Sequence, residues 1–273
     1  MIAAVGVGFL PFFVAESERM FERNARAAGA GDVSITFPRF SGSAAMQDAI
    51  LSGNVEIGGY GVPAMLIARE RARGTPLQVM GIAGVTTTPL ILLTNKANVR
   101  SLHDLGANDR IAMPALVSPQ MYVLQLAAEQ AFGVGQHDRL RAQVVALPHP
   151  EAVNALLSGA EVTAYFSSAP FTQLLLREQR IRAILNSEEL FGGPATFLAI
   201  GGTRRFVDAN PQLVTAIVAT MDEAARFIRE NPRRAAEIYL AKEPSRLVDV
   251  AFIEAILRDP QTGFGAEVRG VKA

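Results

Sequence analysis

One phrase is written twice in this chain: "AILSGNVEIGGYGVP", from Ala49 to Pro63, and "ALLSGAEVTAYFSSAP", from Ala155 to Pro170. Gly53 and Gly159 lie 106 residues apart, and Pro63 and Pro170 lie 107 apart, so a single inserted residue separates the copies. Each copy reads as a helix stopped by glycine, a short strand opened by Val55 or Val162, and a new helix opened by proline. Repetition of such a unit at that distance constrains the chain to two similar α/β lobes. Between strand and proline the copies diverge, with Gly59-Tyr60-Gly61 in the first and Phe166-Ser167-Ser168 in the second. The shared frame is scaffold. The divergent centres are where a ligand is expected, the two triplets facing each other across a cleft.

The remaining segments obey the same alternation. Strands are expected from Ile2 to Val7 and over 33–38, 55–60 and 76–85, the last followed by "PLILLTN". More are expected over 110–115, 141–148, 162–166, 181–186 and 195–202. Helices are expected over 13–29, 43–53, 62–74, 118–133, 150–159 and 169–179, and the remainder reads as helical over 210–231, 232–243 and 245–259. The fold class is therefore α/β, with two lobes that each hold a mostly parallel sheet flanked by helices. Two crossings, near Val85 to Thr94 and Pro194 to Gly201, form the hinge. Lobe 1 comprises 1–90 plus 196–273, lobe 2 comprises 91–195, and the C-terminal helices pack back on lobe 1.

A chain of 273 residues, 49% of them hydrophobic, can supply a core for both lobes. Lys plus Arg equals Asp plus Glu at 26 each, so no basic field draws nucleic acid or anionic lipid. The absence of cysteine excludes disulfides, thiolate metal sites and thiol nucleophiles. No apolar run reaches the ~18 residues of a membrane span. The N-terminus lacks the basic and long apolar regions of a secretory signal, which leaves a cytosolic protein or an exported one whose leader is absent.

Catalytic signatures are missing. G-x-S-x-G and G-x-x-x-x-G-K-[ST] do not occur, and "VGVGFLP" lacks the third glycine of a dinucleotide fingerprint. His103, His137 and His149 have no metal-site spacing. Glu188 with Glu189, and Asp104 with Asp109, sit in turns rather than on strand ends facing a cleft. "RERARG" and "NPRRAAE" read as solvated helix faces. No catalytic residue, metal or cofactor is expected. His149, close to the strand end at Leu147, is the only base to consider for an enzyme.

What remains is a set of loops after strands, rich in small, hydroxyl and aromatic residues. The ligand-binding candidates are Phe9, Leu10 and Pro11; Ser41, Gly42 and Ser43; Tyr60 and Gly61; Thr87 and Thr88; Ser118 and Gln120; Phe166, Ser167 and Ser168; and Thr196. Helix N-termini there offer N–H groups to a negative group, hydroxyls add donors, and aromatics wall the ligand body. Taken singly, each Ser or Thr could simply cap a helix and each aromatic could be core. Taken as a set on one cleft, they point to binding. Arg39, before Phe40, is the only charge nearby.

Several of these stretches resemble a known family. "SGSAAMQDAILSGNVEIGGYGVPAML", "NKANVRSLHDLGANDRIAMPA", "TAYFSSAPF" and "LNSEELFGGPATF" are similar, in that order, to substrate-binding proteins of ABC importers. The likeness is to the nitrate/sulfonate/taurine group and its relatives that bind thiamine-pyrimidine precursors. Running roughly from Gly8 to Asp259, it implies a type II periplasmic-binding fold that closes over a small anionic or aromatic solute. It further implies a monomer, periplasmic or exported and lipid-anchored, that hands its solute to an inner-membrane ABC permease. "QTGFGAEVRGVKA" looks shortened against the C-terminal arm usual in that group. The alternative is an enzyme on the same scaffold, similar to the pyrimidine synthases, although the cysteine-rich motif associated with those enzymes has no counterpart here. A sensor domain signalling to a partner is the third possibility.

Overall fold

The computed structural model describes residues 6–38 and 43–270. The chain divides into two compact units, Met1–Thr88 with Ala195–Ala273 (unit 1) and Pro89–Pro194 (unit 2). Unit 1 begins with α1 (Leu10–Ser17), α2 (Met20–Ala27), α3 (Ser43–Leu51), β1 (Ile57–Gly61), α4 (Val62–Arg71) and β2 (Val79–Thr86). Unit 2 contains β3 (Ile91–Thr94), β4 (Ile111–Met113), α5 (Pro119–Phe132), β5 (Val144–Ala146), α6 (His149–Ser158), β6 (Ala164–Ser167), α7 (Phe171–Leu175), β7 (Arg182–Asn186) and α8 (Ser187–Phe191). Unit 1 is completed by β8 (Leu198–Thr203), α9 (Arg204–Ala209), α10 (Pro211–Glu230), α11 (Pro232–Lys242) and α12 (Val250–Leu257).

The two copies of the repeated phrase fold alike. Gly53 and Gly159 adopt φ of 74° and 69° just past α3 and α6, a region that an L side chain reaches only with strain. Pro63 and Pro170 stand at the starts of α4 and α7. The likeness extends further than the phrase. In unit 1 the order is β1-β8-β2, and in unit 2 the run β6-β3-β7 forms one side of the order β5-β4-β6-β3-β7. In both triplets the strand of the phrase and the strand after the next helix flank a third strand that enters from a crossing. All four of these ladders are antiparallel.

The expectation of mostly parallel sheets is corrected by this arrangement. Only β4–β5 and β4–β6 are parallel. The helix crossovers do keep β1 parallel to β2 and β6 parallel to β7, but β8 or β3 has slipped between each pair and runs the other way. A strand that arrives from the other unit rather than through a crossover helix is free to take that direction.

Two further expectations change at the N-terminal side. The single helix over 13–29 is broken at Glu18-Arg19, where Arg19 takes a left-handed φ of 51°. The pieces bury different faces: α1 is apolar and buried from Leu10 through Ala15, whereas α2 is amphipathic and turns Met20, Phe21 and Ala25 inward. One straight helix could not satisfy both patterns. The segment 33–38 keeps its period-two alternation of half-buried and exposed residues but carries no ladder among the described residues. It borders an apolar cavity of about 550 Å³ that also touches Phe12, Phe21 and Ile57. Of the first expected strand, residues 1–5 lie outside the described residues, and Val7 belongs to a 3-10 turn, Val7–Phe9.

Across the sheet of unit 1, Gly58, Gly201 and Gly81 are register partners and form a row without side chains. Tyr60 fills the space this leaves. Its ring lies against Gly58 and Gly201 and packs with Met46, Ile50, Ala68 and Val79, leaving it 1% exposed. Its hydroxyl has no hydrogen-bond partner among the described residues, and burial pushes its pKa upward. Because that oxygen is desolvated without compensation, Tyr60→Phe should be neutral or stabilise by up to ~1 kcal/mol in urea unfolding. A loss above ~1 kcal/mol would show that the hydroxyl has a partner after all.

Unit 2 has its own core, in which Leu93, Ala112, Val153, Leu156, Tyr165 and Leu175 join α6 and α7 to the sheet. At its edge, Lys96 Nζ lies 2.6 Å from the buried carboxylate of Asp109. Burial opposes the charge of Asp109, but Lys96, Thr163 and the Gly106 N–H outweigh it, so the pKa is lowered. The helical layer of unit 1 is organised by α10, whose stripe Ala216, Ile217, Thr220, Met221, Ala224, Ala225 and Ile228 is buried at helical spacing. No described helix is both long and apolar enough to cross a membrane.

Candidate functional site

The carboxyl ends of parallel strands are where α/β sheets expose helix N-termini. In unit 2, β4 and β6 are parallel neighbours, so the loops that follow them emerge side by side. After β4, Leu116 and Val117 are 46% and 44% exposed, an apolar lip leading into the first turn of α5. Ser118 caps that helix: its hydroxyl and carbonyl oxygens both accept from the Met121 N–H. Gln120, in the same turn, is 2% exposed, and its amide has no hydrogen-bond partner among the described residues.

After β6, the three sequence candidates divide. Phe166 is completely buried and belongs to the core. Ser167 pins the sheet: its hydroxyl donates to the Ile91 carbonyl at 3.0 Å and lies 2.6 Å from Thr172 Oγ1. Ser168 is different. It is 6% exposed, its carbonyl accepts from the Thr172 N–H, and its hydroxyl has no partner among the described residues. Unit 2 thus offers Gln120, Ser168 and the N-terminus of α5, bordered by apolar residues and without a counter-charge among these groups. Such a set suits an oxyanion group attached to a small apolar body.

Unit 1 uses most of its candidates for structure. Phe9, Leu10 and Pro11 are buried at the start of α1. The neighbouring Gly8 carbonyl accepts from Thr86 Oγ1 at 2.9 Å. Tyr60 packs in the core described above, and Gly61 is the N-cap of α4. Ser41 and Gly42 lie outside the described residues, as do Arg39 and Phe40; Ser43 opens α3. Thr88 is 4% exposed, and its hydroxyl is buried without a hydrogen-bond partner among the described residues. Like the Tyr60 hydroxyl, it is a buried group of unit 1 that a ligand or water could satisfy.

Thr87 and Thr196 meet a feature that the strand-and-helix reading missed. Residues 262–269 run beside the outer edge of β2. Gly263 accepts from the Thr87 N–H at 2.9 Å, Gly265 donates to Val85 at 3.2 Å, and Ala266 accepts from Gly84 at 2.8 Å. Thr196 then exchanges two bonds with Arg269, each 2.8 Å: its N–H donates to the Arg269 carbonyl, and its hydroxyl accepts from the Arg269 N–H. A Cβ on Gly84 would collide with the Glu267 carbonyl, so glycine is needed for this close approach. The signal was present in Gly263 and Gly265, which flank Phe264 at the alternate spacing of an extended segment.

His149 stands in the first turn of α6 and is 7% exposed. Its Nδ1 is hydrogen-bonded to the Tyr165 hydroxyl, and its ring stacks on Phe171 at 5.0 Å between centroids. Burial pulls its pKa down to about 4, so the ring is neutral at pH 7. The side chain is thereby held as a packing element between α6, β6 and α7.

Comparison with known proteins agrees with this architecture. A model of the NMT1-like family matches residues 4–241. No curated protein shows significant sequence similarity. Among solved structures, the alkanesulfonate-binding protein of Xanthomonas axonopodis pv. citri, bound to MOPS, superposes with a TM-score of 0.73. It is 18% identical over 97% of this chain and 85% of its own. The periplasmic aliphatic sulphonate-binding protein of Escherichia coli gives 0.71 at 18% identity, over 96% and 80%. The periplasmic nitrate-binding protein of Synechocystis PCC 6803 gives 0.65 at 16% identity, over 94% and 69%. At these identities the likeness carries the fold.

Proposed function

Because the chain belongs to the NMT1-like family, we propose that it is the solute-binding receptor of an ABC importer. In this reading it captures a small compound with a sulfonate, nitrate or carboxylate group, the two units closing over it about the crossings. It works as a monomer in the periplasm, or exported and anchored, and delivers its solute to a permease. The observation that supports the reading most directly is the pair Gln120 and Ser168. Both residues are buried, neither side chain has a hydrogen-bond partner among the described residues, and they follow the carboxyl ends of adjacent parallel strands beside the N-terminus of α5. An amide and a hydroxyl that no neighbouring group occupies are free to donate to a bound oxyanion beside a helix N-terminus. Neutral donors and a helix N-terminus also suit a single negative charge that must later be released.

The test is a thermal-shift and calorimetric screen of aliphatic sulfonates, nitrate, short carboxylates and pyrimidines. At least one class should raise the melting temperature, reflecting the ~4 kcal/mol of stabilisation expected at a thousandfold excess over Kd. A Gln120→Ala/Ser168→Ala variant should weaken that compound about 100-fold, and the radius of gyration of the wild type should fall on saturation. Silence across the panel, or a double variant that binds like the wild type, would remove the support for this reading.

A further inference from the structure

Unit 1 contains a polar cavity of about 720 Å³ bounded by α10, the end of α12 and the extended segment 262–269. Its charges are unevenly satisfied. Arg258, following α12, is held by Glu254 at 2.8 Å, and Arg269 by Glu267 at 2.9 Å. The acids Asp222 and Asp259 also line the cavity and keep their charge, Asp222 accepting from the Ala266 N–H at 3.0 Å and Asp259 from the Gln261 N–H at 2.9 Å. The remaining two cations, Arg226 and Arg229, line the cavity from α10, are exposed, and have no acidic partner among the described residues. Three residues apart on one helix, they share a face and repel each other.

Two guanidiniums one turn apart, without acidic partners among the described residues and opening into a polar cavity, form a recognition element for an anion with several oxygens. Each planar fork can take two oxygens of one phosphate, and a phosphate dianion neutralises both. We propose that this cavity is a second ligand site, independent of the solute-receptor reading, which binds a phosphate-bearing molecule through Arg226 and Arg229. The solute loops of unit 2 contribute nothing to it. The segment 262–269 forms one wall, held in place by Gly84 and Thr196.

Inorganic pyrophosphate is the probe, titrated into the full chain at constant ionic strength with chloride as control. Pyrophosphate should raise the melting temperature and bind with Kd below ~1 mM, and Arg226→Gln/Arg229→Gln should weaken it at least tenfold. Glutamine keeps the helix propensity of arginine, and unchanged circular dichroism would confirm that the variant folds. Gln120→Ala/Ser168→Ala should leave the pyrophosphate response intact, so failure of the receptor reading and failure of this one are separable. Vesicles of phosphatidylglycerol form the second arm. Co-sedimentation that the arginine variant abolishes assigns the phosphate to a lipid headgroup; binding of pyrophosphate alone assigns it to a soluble ligand. The proposal is overturned if neither probe binds, if chloride acts equally, if the arginine variant binds as the wild type does, or if the Gln120/Ser168 variant loses the pyrophosphate response.

Discussion

Substituting His149 with alanine should cost about 3–4 kcal/mol at pH 7 and should flatten the acid side of the stability profile. The ring is stacked on Phe171, edge-on to Tyr165, and bonded to the Tyr165 hydroxyl in a site that leaves it 7% exposed. Truncation removes that packing and strands a tyrosine hydroxyl in the core. The pH effect follows from the neutral state of the imidazole. Burial lowers its pKa from 6.5 to about 4, so between those values the unfolded chain binds a proton that the folded chain refuses. Stability from this source is complete above pH 6.5, is lost as the pH falls toward 4, and does not change further below that. The full interval corresponds to roughly 3 kcal/mol. Urea midpoints at pH 7 and pH 4.5 for the wild type, His149→Gln and His149→Ala should show the wild type losing most of that amount in excess of both variants. Parallel profiles would mean that the imidazole is not buried in its neutral form.

The second large effect belongs to the glycine row of unit 1. A Cβ on Gly58 would stand 2.5 Å from Tyr60 Cε2 and 2.8 Å from Cζ, and one on Gly201 would stand 2.7 Å from Val79 Cγ1. Neither φ is in the left-handed region, so the requirement is for space alone. Tyr60, at 1% exposure among Met46, Ile50 and Ala68, has little room to yield. Gly58→Ala and Gly201→Ala should each cost about 2–3 kcal/mol through overpacking. Combining Gly58→Ala with Tyr60→Leu should cost clearly less than the sum of the two single changes, because the smaller side chain vacates the space the methyl needs. Additive losses in that double-mutant cycle would place the strain elsewhere.

The elements were largely legible because their signals are local. Gly29, Gly53, Gly74 and Gly159 all adopt positive φ where the sequence pattern stops a helix, and prolines open α4 and α5. Strand direction was less legible, since alternation of hydrophobic residues says nothing about which neighbour a strand chooses; β3 and β8 needed the tertiary structure. The same limit applies to 33–38, whose side chains alternate without a ladder among the described residues. Site residues were the hardest to separate. Ser167 and Ser168 are adjacent and chemically identical, yet one hydroxyl is consumed by Ile91 and Thr172 while the other has no partner among the described residues. Thr196 looked like a loop donor and instead clamps Arg269. Composition marks a hydroxyl as available, and only its neighbours decide whether it has been spent.

The placement of β8 also sets an order of synthesis. Unit 2 is one contiguous stretch, Pro89–Pro194, and every ladder it needs is complete once β7 has emerged. Unit 1 begins earlier but waits longer: β1 and β2 each pair with β8, which is more than a hundred residues downstream of β1. Until then the ribosome displays two strands with open edges and the apolar surface around Tyr60, which is the condition under which nascent chains associate wrongly. The half of the molecule begun first is therefore the half whose sheet is completed last.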